Sequence, residues 1–154
     1  MLEHKKTTFQ EYIKELPELL ARLQKCTPML RSELHDIPEQ EVYVFYENGR
    51  AIFAGRSDGL RVYLMSQGRP GSTHNNAPSA FKLAKEEAIG RGYEFQSANT
   101  AIHDEMFIPF FAAAKERVAK MRIRFVATND PVQQQILAIY AAVELKTQNE
   151  FDTH

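Results

Sequence analysis

Glu41-Val42-Tyr43-Val44-Phe45-Tyr46-Glu47-Asn48-Gly49-Arg50-Ala51-Ile52-Phe53-Ala54-Gly55 is the stretch on which the fold turns. Residues 41–46 are rich in β-branched and aromatic side chains, which suit a pleated, buried surface. Asn48-Gly49 then supplies the dipeptide best able to take the two positive φ angles of a type I′ turn. Residues 50–54 return as the second strand of a hairpin.

Helical patterns surround it. Thr8-Phe9-Gln10-Glu11 has the form of a capping box, and Phe9, Ile13, Leu16, Leu20 and Leu23 recur at helical spacing, which predicts a helix over 9–25. Pro17 inside it should kink it or divide it in two. Downstream, the pattern predicts a short helix over 58–66, a loop over 68–76 and a helix over 77–90 that buries Ala80, Phe81, Ala84 and Ala88. A helical turn is expected at 101–107, and Pro109 suits the first turn of a helix running to about Lys120. Met121, Ile123 and Phe125 alternate with Arg122 and Arg124, a third strand over 121–127 with one buried face and two arginines outward. Asp130-Pro131 starts a last helix that runs to about Leu145. The expected class is α+β: a small three-stranded sheet flanked by helices, in one domain with an N-terminal helical extension over 1–37.

Composition narrows the function. With 154 residues, 44% hydrophobic and 25% charged, the chain is long enough to bury a core. Its single cysteine, Cys26, excludes an intrachain disulfide and a cysteine metal cluster, and reads as a small hydrophobe. No apolar run approaches the roughly 20 residues of a membrane span, and the polar, charged N-terminus does not read as a signal peptide, so a cytoplasmic location without membrane partners is expected. The net charge of −1 argues against a strongly electrostatic nucleic-acid binder. The charges are segregated, however. Residues 1–49 hold 6 Lys/Arg and 9 Asp/Glu, residues 50–124 hold 12 and 7, and residues 125–154 hold 1 and 4. A basic middle between acidic ends suits either a phosphate-facing surface or an ordinary mixed one.

The hairpin also resembles a known pattern. The GIY-YIG nuclease family has a strand ending in Gly-Ile-Tyr, a tight turn, a strand ending in Tyr-Ile-Gly, and a helix with Leu-x-x-Arg. Here the corresponding residues are Glu41-Val42-Tyr43, Phe53-Ala54-Gly55 and Leu60-Arg61-Val62-Tyr63. The likeness continues through His74-Asn75-Asn76-Ala77, Phe81-Lys82-Leu83-Ala84 and Ile136-Leu137-Ala138-Ile139-Tyr140. It closes on Asn149 and Phe151-Asp152-Thr153-His154, as in small stand-alone bacterial members.

That resemblance implies metal-assisted hydrolysis of a DNA phosphodiester. The first Tyr helps activate water, the Arg and second Tyr stabilise phosphate charge, a helix Glu binds Mg²⁺ or Mn²⁺, and an Asn lies nearby. Such a reaction needs donors already aimed at the phosphate and oxygen ligands for a hard cation. The family's positions fall on Tyr43, Phe53, Tyr63, Ala138 and Asn149. Three of them are degenerate. Phe53 lacks the hydroxyl, Tyr63 stands for the Arg, and Ala138 stands for the metal ligand.

Three readings follow from the resemblance. The first is a degenerate nuclease-like domain acting as a nucleic-acid-binding or protein-interaction module, with no cofactor. The second is a divergent metal-dependent DNA endonuclease that uses Mg²⁺ or Mn²⁺. The third is a module whose old cleft is filled with side chains and whose remaining role is self-association. Arg56, Arg61, Arg69, His74 and Asn75 are the candidate contacts to nucleic acid, with Arg122 and Arg124 as further phosphate contacts. His103 beside Asp104 and Glu105 has metal-like neighbours only in sequence, because adjacent helical residues do not converge.

Overall fold

A computed structural model describes residues 7–34, 40–57 and 69–147, with the backbone of 152–153. The α+β class holds. In chain order the elements are α1 (Phe9–Lys25), β1 (Met29–Leu30), a 3-10 turn (Arg31–Glu33), β2 (Glu41–Glu47), β3 (Arg50–Ser57), α2 (Pro78–Gly90), α3 (Ala98–Ala101), α4 (Ile108–Ala119), β4 (Arg122–Ala127), α5 (Pro131–Glu144) and β5 (Asp152–Thr153). The expected three strands are all present, and two-residue strands extend the sheet to the order β1-β4-β2-β3-β5.

The chain divides into two compact units. The first comprises Met1–Pro28, Gln40–Asp58 and Arg124–His154. Its centre is the β2–β3 hairpin, whose turn residues Asn48 and Gly49 take φ of 51° and 78°. Those values meet the demand of a type I′ turn, and an alanine at Gly49 would be strained there. Val42, Val44, Ala51 and Ala54 face a core completed by Leu16, Leu20 and Leu23 of α1, Val126 of β4, and Leu137, Ala138, Ala141 and Ala142 of α5. The strand β3 runs past the expected end at residue 54 because Gly55, Arg56 and Ser57 stay paired with Tyr43, Val42 and Glu41 of β2, and Gly55 and Arg56 also pair, in parallel, with Asp152 and Thr153.

Proline does not divide α1. The helix is continuous through Pro17, with its capping box formed between Thr8 and Glu11. A mid-helix proline costs about 3 kcal/mol, but Leu16, Leu20 and Leu23 bury on both sides of it and hold the axis together. A polar network then ties α1 to the start of α5. The Tyr12 hydroxyl donates to Asp130 Oδ2 at 2.6 Å, while Asp130 Oδ1 accepts from the amides of Val132 and Gln133. Gln133 Nε2 donates to the Tyr12 carbonyl and to Glu15 Oε2. The shared proton raises the Tyr12 pKa and lowers that of Asp130.

The second unit comprises Met29–Glu39 and Gly59–Ile123. Here α2 and α4 pack through an aromatic cluster in which Phe81 lies within 5.4–6.0 Å of Phe95, Phe107 and Phe111, mostly edge to face. Ala80, Ala84 and Ala88 are buried as expected, while Phe81 is half-buried. The helical turn expected at 101–107 lies earlier, at Ala98–Ala101. Ser97 caps it by accepting from the Thr100 amide, and Asp104 takes up the next free amide, that of Met106. Strand β4 also departs from strict alternation: Ile123 and Val126 are buried, and Arg124 and Phe125 are half-buried.

One lysine fastens the loop before α2. Lys115 of α4 is 8% exposed, and its Nζ donates to the carbonyls of Pro70 at 2.5 Å and Ser72 at 3.0 Å while lying 4.3 Å from the Phe111 ring centroid. Burial lowers its pKa. Replacing it by Met keeps the stem and removes the three-way contact. Lys115→Met should cost about 1–3 kcal/mol in a denaturant titration, with the largest loss of amide-exchange protection at residues 70–77.

Candidate functional site

Period-two alternation sorts the hairpin's side chains onto two faces. Pairing sets Tyr43 opposite Gly55 and Phe45 opposite Phe53, so Glu41, Tyr43, Phe45, Phe53 and Ser57 share one face. The rings confirm this, with Tyr43 and Phe45 centroids 5.5 Å apart and Phe45 and Phe53 at 6.1 Å. The other face carries Val42, Val44, Ala54 and Arg56. Ala138 belongs to that second face, in the core cluster with Val42 and Val44.

Of the described family positions, Tyr43 and Phe53 are therefore not brought together with Ala138. Tyr43 and Phe53 lie on one side of the hairpin, at 0% and 1% exposure, and Ala138 packs on the opposite side, also at 0%. Tyr63 and Asn149 lie outside the described residues, as do Arg61 and the expected helix over 58–66.

The described candidate nucleic-acid contacts belong to different units. In the first unit, Arg56 Nη1 donates to Gln134 Oε1 at 3.0 Å, and Gln134 Nε2 donates to the Thr128 carbonyl at 2.7 Å. Arg56 thus braces β3 against α5. In the second unit, Arg69 and Asn75 are exposed on the loop before α2. His74 of that loop is half-buried, its ring 5.6 Å from Phe81, and its buried Nδ1 has no hydrogen-bond partner among the described residues.

The arginines of β4 are engaged rather than both outward. Arg124 Nε donates to the Cys26 carbonyl at 3.0 Å, and its guanidinium lies 4.9 Å from the Tyr46 ring centroid. Arg122 is exposed, 3.8 Å from Glu33 Oε1. Cys26 is a half-buried free thiol. Asp104 accepts from the Tyr93 hydroxyl at 2.9 Å and is committed to its own loop rather than to His103. Among the described residues no group of three or more His, Cys, Asp or Glu could hold a metal ion.

The most unusual group on the hairpin was not singled out from the sequence. Glu41 is fully buried, and neither carboxylate oxygen has a hydrogen-bond partner among the described residues. Burial alone pushes its pKa from 4.5 to about 7. The signal was present in the sequence: Glu41 is in phase with Tyr43 and Phe45, so a buried face carrying those rings must carry the carboxyl too. Lys115 gave a similar signal, four residues after Phe111 on the same helix face.

A group with a raised pKa takes up a proton on folding, so its contribution to stability is complete below the ordinary carboxylate pKa and is lost as pH rises through about 7. The protein should therefore lose roughly 2–3 kcal/mol of stability between mildly acidic and mildly alkaline pH. Glu41→Gln should remove most of that slope in urea titrations across the range. An unchanged slope in the variant would refute this account of Glu41. No family model matches the chain, and no curated protein or solved structure does either.

Proposed function

We propose that this chain is a GIY-YIG-like domain that has lost phosphodiester cleavage and works as a protein-interaction module. The observation that carries the reading is the placement of Tyr43, Phe53 and Ala138 on opposite faces of one hairpin, each 0–1% exposed. Hydrolysis needs the water-activating group, the phosphate donors and the metal ligand to converge on one accessible point. Buried rings on one face and an alanine methyl on the other offer no such point. Arg56, braced against Gln134, contributes to packing in the same core, which weighs against a nucleic-acid role for it.

A cleavage assay on single- and double-stranded DNA with Mg²⁺ and with Mn²⁺ tests this. The unmodified chain should leave both substrates intact, and metal-dependent cutting would sink the proposal in favour of a divergent endonuclease. Ala138→Glu, the change that would restore a family-type metal ligand, should fail to restore cutting. It would place a carboxylate in a site with 0% exposure among Val42, Val44 and Leu137. The expected outcome is a loss of about 3 kcal/mol or more in the unfolding free energy at neutral pH.

A further inference from the structure

Ala112, Lys115, Glu116 and Ala119 recur at helical spacing and share one side of α4. Together with Pro70, from the loop before α2, and Arg31, from the 3-10 turn, they line a hollow of about 400 Å³. Two of the four helix positions are alanines, so the space between helix and loop is left unfilled. All six residues belong to the second unit. The volume is that of a small-molecule site, and Pro70 with the two alanine methyls makes much of the wall apolar.

Lys115 gives that wall its charge. It is 8% exposed, so its ammonium has little access to water. An ammonium carries three N–H donors, and the carbonyls of Pro70 and Ser72 take two of them. The third has no acceptor among the described residues, and no carboxylate of those residues makes an ion pair with Nζ. The Phe111 ring faces the ammonium but brings no net negative charge. Glu116, on the same side of the helix, is turned to Lys120 at 3.2 Å, and both side chains are mostly exposed. Arg31 adds a second cation to the wall. The hollow is therefore apolar in shape and cationic in charge, with one buried donor left over.

We propose that it binds a monocarboxylate carrying a short aliphatic chain. One carboxylate oxygen accepts the remaining N–H of Lys115, Arg31 adds attraction, and the chain packs on Pro70, Ala112 and Ala119. A single negative charge suits the single spare donor of Lys115. A phosphate has more oxygens and more charge, and would leave acceptors facing apolar wall or Glu116. A neutral chain would fill the space and leave the buried ammonium without a counter-charge. The site lies away from the hairpin and goes beyond the module reading without depending on it.

Amide shifts of the isotope-labelled full chain, titrated with sodium octanoate into the millimolar range, test the site directly. Octanoate should give saturable shifts at residues 71–72 and 112–119. Octanol, which has the chain without the charge, and inorganic phosphate, which has charge without a chain, should give none that saturate there. Lys115→Met should weaken octanoate by about tenfold or more. Because that change also loosens the loop, Ala119→Phe provides the second variant. It fills the hollow from a half-buried position with Lys115 intact, and should abolish the shifts while keeping the parent's melting temperature. Octanol binding as tightly as octanoate overturns the proposal, as does phosphate saturating the same amides. So does the absence of saturable octanoate shifts, or octanoate binding unchanged in folded Ala119→Phe.

Discussion

Burial of the β2–β3 hairpin on both faces is the constraint on which the first unit depends. Most antiparallel hairpins keep one face wet and alternate apolar with polar residues. Here Val42 to Phe45 and Ala51 to Ala54 are buried without interruption, so each successive side chain must fit a packed environment. One consequence is that α1 and α5 must both be present to complete the inner face. Another is that any polar group in phase with the buried residues, as Glu41 is, loses its water whether or not a partner awaits it.

The same constraint explains how the first unit spends its polar side chains. Tyr12, Asp130 and Gln133 tie the start of α5 to α1, and Gln134 with Arg56 ties it to β3. A helix whose remaining surface is uncharged gains its orientation from these bonds rather than from ion pairs. The second unit uses aromatic edges and one buried lysine for the equivalent task.

Much of this was legible beforehand. The hairpin, its turn, the capping box of α1 and the Asp130 start of α5 follow from local chemistry that acts within a few residues, and each is present. What could not be read was set by long-range packing. Pro17 breaks helices in isolation but not where leucines bury on either side of it. The added pairing of Gly55 and Arg56 with β5, almost 100 residues away in sequence, has no local signal. The family-like positions could be aligned one by one, but which hairpin face each occupied depended on where α5 docked. Tyr43 and Ala138 were assigned to one site on sequence order, and strand alternation with helix docking set them apart. Glu41 was within reach of the period-two rule, although nothing local marked its burial as complete.

Strand β4 begins among residues of the second unit and finishes among those of the first, which itself is assembled from three separate stretches of chain. During synthesis the hairpin therefore leaves the ribosome long before Val126 and α5 exist to cover its inner face. The intervening residues 69–123 include the neighbouring helices α2 and α4, whose contacts are local enough to form first. Until the last thirty or so residues are made, Val42, Val44 and Ala54 lack Val126 and α5, which share their core in the folded unit. The chain thus has a built-in interval of exposed strand, and chaperone capture or aggregation would act within that interval.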